Sequence, residues 1–371
     1  MKYMKALLLA ALAFLFASSS SAQSGKEHAY FEDTSNDVHE IFYNGAWQDY
    51  NLTSLSGAGT AAAGSALSSF SYTSGGCSCT VDTVNYLDSS GDMHQLSRTN
   101  GTVTDTDYTS ASSATTAASG SPLINYAAFY SLYVDGSGNL VSVNTVSGGG
   151  HNDLNVGAPS ASATSLTSFN FNSYTYIVYL TTGGDIETVY SNGGAWSHAD
   201  LTTSASAPAA ASGSGLTSFV YGTDCYVVYF TSGGHVEVLY FDSGSWHKQD
   251  LTNTTSAPSP YSTNALTSSV FGSDIDIVYV GGSLQVEDIY YDSGSWHKTD
   301  LTSVTSAPST AAAGSALAMS VTGSVLDVYY QQNGGDIAAM YYSAGWYNND
   351  LTSTASAAAP ANGTGVSGYD Y

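Results

Sequence analysis

HVEVLYFDSGSWHKQDLT, residues 235–252, and QVEDIYYDSGSWHKTDLT, residues 285–302, are near copies set 50 residues apart. Three further segments share their ending, at Trp47…Asn51-Leu52-Thr53, Trp196…Asp200-Leu201-Thr202 and Trp346…Asp350-Leu351-Thr352. Two degenerate copies end at Asp107-Tyr108-Thr109 and Asp153-Leu154-Asn155, with Val103 and Gly149 in the Trp position. The seven anchors at 51, 107, 153, 200, 250, 300 and 350 are spaced by 56, 46, 47, 50, 50 and 50 residues. A fixed period of this length marks a repeat architecture. The long first spacing coincides with TSGGCSCT, residues 73–80, read as an insertion.

Each repeat holds four strand-like runs. In the fifth they are residues 215–222, 225–230, 235–241 and a run from Trp246 to Thr252, the last three separated by Gly-rich turns. The second run, CYVVYF, is apolar at every position, so both its faces need cover. The fourth is polar, as an outer edge should be. Four antiparallel strands buried on both faces are propeller blades, which rely on neighbours for their cover. The expectation is all-β: one seven-bladed β-propeller over residues 23–371. The first repeat begins at its second strand, with His28-Ala29-Tyr30-Phe31, and lacks a first. Val366-Ser367-Gly368-Tyr369 matches the missing innermost strand, so the C-terminus is expected to complete blade one and close the ring.

Residues 1–22 read as a signal peptide: Lys2 and Lys5, the apolar run ALLLAALAFLF, then Ser20 and Ala22 before a cleavage site. The expectation is a secreted or periplasmic protein without a membrane span. With 30 Asp+Glu against 6 Lys+Arg and a net charge of −24, the chain repels phosphate, which disfavours nucleic acid as partner. Three cysteines, Cys77, Cys79 and Cys225, cannot form a paired framework; the first two suit a local loop. No cofactor or metal is expected, and Asp135-Gly136-Ser137-Gly138-Asn139 reads as a hairpin turn rather than a calcium loop.

Candidate functional residues come from the repeat. Trp47, Trp196, Trp246, Trp296 and Trp346 share one position, either packed between blades or offered as platforms for sugar rings. His247 and His297 follow their Trp and should point to the opposite face; Tyr347 takes that place in the last repeat. The exchange of His for Tyr suits stacking or hydrogen bonding. His39 with Glu40, and His94 with Gln95, share a register on the third strand and read first as solvated positions. The anchor Asp becomes Asn51 once, which suits a strand-end hydrogen bond rather than catalysis. Arg98 is the single arginine, too few for sialidase chemistry, and no hydrolase motif stands out.

The third-strand pattern, the G-x-W turn, Asp-Leu-Thr and the Ala-Pro loop together resemble the fucose-lectin-like propellers over residues 28–371. That resemblance implies sugar sites built from an Arg on strand two, a Glu on strand three and surrounding aromatics. By this alignment the strand-two position holds His28, Val84, Val227, Ile277 or Asp327. The strand-three position holds Glu40, then Gln95, Ser142, Thr188, Val238, Asp288 and Ala339. The expected function is a non-catalytic, multivalent binder of neutral or basic glycans, fucosylated or methylated ones among them. The expected contacts are Glu40, Trp47, Trp196, Trp246, His247, Trp296, His297, Trp346 and Tyr347. Two other classes stay open: a protein-interaction scaffold, and an extracellular glycan hydrolase with an unrecognised carboxylate pair.

Overall fold

The computed structural model describes residues 27–74, 79–127, 129–146, 149–154, 157–261, 265–310 and 316–370. The proposed signal peptide and Cys77 lie outside them. Seven sheets of four antiparallel strands form a ring. Blade five is typical, with strands Leu216–Tyr221, Asp224–Phe230, Val236–Asp242 and Ser245–Asp250 from the channel outward. The innermost strand of each blade packs beside the next around the ring. Hydroxyl pairs link these strands: Thr167 with Ser218, Thr217 with Ser268 and Ser69 with Ser367, each at 2.7 Å.

Blade one is completed from the far end of the chain, as expected. Ser367–Asp370 pairs antiparallel with Glu27–Glu32, which continues to Val38–Tyr43 and Trp47–Asn51. The Thr364 hydroxyl accepts the Glu32 N–H at 2.7 Å, a bond across 332 residues of sequence.

The fourth run of the fifth repeat ends earlier than expected. In blade five the strand stops at Asp250 and the chain turns into a short helix, Leu251–Thr255. Six such helices occur among the described residues. The anchor tripeptide builds each one. Asp300 caps its helix by accepting the Ser303 N–H at 2.8 Å, and Asn51 does the same for Ser54 at 2.7 Å. Leu251, Leu301 and Leu351 are fully buried. The Thr252 hydroxyl accepts the Val236 N–H at 2.8 Å, tying the helix to the start of the third strand. Asp300→Ala should therefore cost about 1 kcal/mol in chemical denaturation, and Asp300→Asn only a few tenths. Equal losses for both would contradict the capping role.

The Ala-Pro loops have a matching function. Tyr179, Tyr229 and Tyr279, on successive second strands, donate their hydroxyls to the carbonyls of Pro159, Pro208 and Pro258 at 3.0, 2.7 and 2.7 Å. Buried phenols are thereby satisfied while clamping each connection onto its blade. Asp135 accepts the N–H groups of Ser137 and Asn139 at 2.8 and 2.9 Å, as a hairpin turn does. Of the TSGGCSCT segment, Thr73, Ser74, Cys79 and Thr80 belong to the paired strands of blade two rather than standing outside it, Ser74 opposite Cys79, and residues 75–78 lie outside the described residues. Cys79 is disulfide-bonded, whereas Cys225 is free and buried. No helix of the described residues is long and apolar enough to cross a membrane.

Candidate functional site: the clefts between blades

Side chains alternate across each strand, so every blade sends one set to the preceding blade and one to the next. The third-strand residues Glu40, Gln95, Ser142, Thr188, Val238, Asp288 and Ala339 do share one register, as aligned from the repeats. The second-strand alignment needs correction. Pairing places His28 opposite Phe42, Thr83 opposite Ser97, Tyr226 opposite Tyr240, Asp276 opposite Tyr290 and Asp327 opposite Tyr341. Val84, Val227 and Ile277 are each one residue out of that register. They face the opposite way, fully buried in the cores shared with the preceding blades. The Val227 run, CYVVYF, is apolar at every position and carries no alternation from which to read its parity, and the other blades are aligned to it.

Cavities open in the clefts that flank blade six. Between blades five and six, about 400 Å³ is lined by Tyr221, Asp224, Tyr226, Tyr240 and Gln249 on one side, and by Ile275, Tyr291 and Trp296 on the other. Between blades six and seven, about 420 Å³ is lined by Asp274, Asp276, Asp288, Tyr290 and Asp292, faced by Tyr342 and Trp346. Burial pushes the Asp276 carboxyl up to about 7, helped by the charge of Asp274. Burial raises Asp288 well above the ordinary carboxylate range, and Asp276 adds to the effect.

The corresponding cleft between blades one and two is filled. Glu40, fully buried, meets the Arg98 guanidinium at 2.6 Å (Nε to Oε2), and Arg98 Nη2 also donates to Asp82 at 2.9 Å. His28 Nδ1 lies 2.7 Å from Glu40 Oε1, to which the Tyr30 hydroxyl donates at 3.0 Å. The guanidinium carbon lies 4.5 Å from the Phe42 ring centre and 5.6 Å from that of Tyr50, within cation–π range. Burial alone would raise the Glu40 carboxyl, but the His28 hydrogen bond and the Arg98 charge outweigh it and hold it below its usual value. His28, Glu40 and Asp82 bring ligand atoms within 4.8 Å of one another, a spacing open to a metal ion. Arg98 already binds both carboxylates, so the cluster carries its own cation.

These arrangements redistribute the expected contacts. Glu40 faces blade two, whereas Trp47 packs on the core between blades seven and one, so they do not share a site. Trp246 and His247 part in the same way. Trp246 lies against Phe241 (5.6 Å) on the core toward blade four, while His247 stacks on Tyr240 (5.3 Å), which lines the cleft to blade six. His297 stacks on Tyr290 at 5.2 Å and Tyr347 on Tyr341 at 5.3 Å, which accounts for the exchange of His for Tyr. All five Trp are half-buried, each against an inter-blade core, Trp196 in that of blades three and four. Trp296 and Trp346 in addition line the two cavities.

His39 and Glu40 are not solvated: they are 4% and 0% exposed, and His39 Nδ1 lies 2.9 Å from Asp49. Gln95 is buried as well, donating to Asn85 Oδ1 at 2.9 Å, and His94 bonds Asp105 at 3.1 Å. Arg98, Tyr226, Tyr240, Gln249, Asp276 and Tyr290 escaped the sequence reading as site residues. Counting pairs outward from each hairpin turn would have placed Arg98 on the face that meets blade one.

The ring of seven four-stranded blades is a β-propeller, a fold this chain shares with solved lectins. Among solved structures, the BP39L lectin from Burkholderia pseudomallei is 16% identical, with a TM-score of 0.60, covering 87% of this chain and 94% of its own. The AofleA protein from Arthrobotrys oligospora is 12% identical, with a TM-score of 0.55 and coverage of 83% and 89%. A mutant of the Aleuria aurantia lectin, solved with α-methyl-L-fucoside, is 17% identical, with a TM-score of 0.52 and coverage of 77% and 94%. At these identities the likeness is one of fold. No protein-family model matches the chain, and no curated protein matches it significantly.

Proposed function

We propose that this protein is an exported, non-catalytic carbohydrate-binding protein whose inter-blade clefts take neutral glycans. The observation that carries this reading is the cavity between blades five and six. Its walls are Tyr221, Tyr226, Tyr240, Tyr291 and Trp296, with Asp224 and Gln249 as polar groups among them. Aromatic faces stack on the C–H faces of sugars, and a few fixed polar groups orient the hydroxyls. The likeness to solved lectins of the same fold supports it, and the basic, apolar N-terminal segment supports export.

Repeated clefts on one ring would add weak affinities into avidity. The Arg98–Glu40 pair differs from the sugar-binding pair implied by the resemblance: Arg98 comes from the third strand of the neighbouring blade and fills its cleft. Specificity in the open cleft must then rest on aromatic shape and on Asp224 and Gln249. A glycan array probed at high protein density should show binding to neutral glycans. Trp296→Ala should weaken it at least about tenfold, and Gln249→Ala should weaken it with the fold intact by circular dichroism. Folded protein that binds no neutral glycan would reject the reading in favour of a structural scaffold.

A further inference from the structure

The clefts between blades one and two and between blades six and seven share a frame but differ in charge balance. Glu40 and Asp288 occupy the same third-strand register, and Phe42 and Tyr290 follow two residues on. Across the cleft, Arg98 and Tyr342 correspond, as do Asp82 and Leu326, by their pairing on blades two and seven. In the first cleft the buried carboxylate is met by a guanidinium lying over an aromatic ring. In the second the facing residue is a neutral Tyr342, and an open cavity of about 420 Å³ remains.

Asp288 and Asp276 are 2% and 7% exposed, line that cavity, and leave Asp288 Oδ1 and Asp276 Oδ2 without a hydrogen-bond partner. Carboxylates buried in this way are costly until a cation with its own donors meets them. The rest of the lining includes Phe271, Tyr290, Tyr342 and Trp346, faces that suit both a sugar ring and an ammonium group. We propose that the cleft between blades six and seven binds a protonated amino sugar, its ammonium held by Asp276 and Asp288 over the Tyr290 ring.

The proposal rests on the carbohydrate-binding reading above and narrows it for one cleft. A divalent metal fits less well. Calcium takes six to eight oxygen ligands. Among the described residues, three His, Cys, Asp or Glu ligand atoms converge within 4.8 Å only at His28, Glu40 and Asp82, and not here. The ammonium would repeat what Arg98 does in the first cleft, with the ligand supplying the cation that blade seven lacks.

Calorimetry on the purified protein tests this with three probes: a β-1,4-linked glucosamine trimer, its fully N-acetylated counterpart, and N-acetyl-lysine methylamide. The free-amine trimer should bind at least tenfold more tightly than the other two. Asp288→Asn and Asp276→Asn should each reduce that binding at least tenfold. The comparison of probes on the unaltered protein decides the matter even if a variant fails to fold. Equal binding of the N-acetylated trimer would overturn the proposal, as would equal binding of the lysine derivative, which needs no sugar. Displacement of the trimer by micromolar calcium, or its cleavage during the titration, would overturn it in favour of a metal site or a hydrolase. Neutral glycans binding on the array while the amine trimer fails would remove this inference alone. Amine binding without any neutral glycan would remove the neutral-glycan reading instead.

Discussion

Deleting residues 363–371 should lower the melting temperature by on the order of 10 °C or more and promote oligomers. The deletion removes the innermost strand of blade one, Ser367–Asp370, and exposes the backbone edge of Glu27–Glu32. It also removes the Thr364 hydroxyl from the Glu32 N–H, the Ser367 hydroxyl from Ser69, and the Gly363 N–H from the buried Gln331 Oε1. Val366 leaves the core shared by blades seven and one. The loss reaches beyond local contacts, because the blades on either side bury their faces against this one. An unchanged melting curve and elution volume would show that the ring closes by other means.

Arg98→Met should destabilise the protein by about 3–5 kcal/mol at pH 7, because it leaves Glu40 charged and buried without its guanidinium. In the unaltered protein the Glu40 carboxyl is held below its ordinary value of 4.5. Its contribution is therefore fully present above about pH 4.5 and is lost as pH falls through the folded-state value. In the variant the His28 hydrogen bond remains but the Arg98 charge is gone, so burial raises the carboxyl relative to the unaltered protein and acid relieves part of the penalty. The gap between the two proteins should narrow from pH 7 to pH 4. Glu40→Gln in the Arg98→Met background should recover part of the loss at pH 7. A pH-independent gap, or no gap, would show that the pair is not the support the geometry describes.

The repeat made the architecture legible. The Trp and Asp-Leu-Thr positions gave the blade count, and the unmatched strand at each end gave the closure. The anchor Asp was legible as a hydrogen-bonding group because Asn51 replaces it, although the short helix it caps was not. Side-chain facing was less legible. On the third strand, polar residues fix the parity. On the second, runs such as CYVVYF are buried on both faces and lose it; aligning the other blades on Val227 passes over Asp276, although Asp274 and Asp276 alternate with Ile275 and Ile277. Pairings between blades were the least legible of all. Glu40 and Arg98 are 58 residues apart, and nothing local to either announces the other. Trp246 and His247 are adjacent in sequence yet serve different clefts, a separation that alternation requires once both flanking blades are in place.

The central claim is that carbohydrate sits between blades, against the aromatic walls contributed by neighbouring repeats. A crystal structure of the protein with the tightest neutral glycan found on the array tests it most directly. The account predicts a sugar ring in the cleft between blades five and six, within van der Waals contact of Tyr240 and Trp296 and hydrogen-bonded to Asp224 or Gln249. A glycan bound only in the central channel or on the outer strands, with that cleft empty, would contradict it.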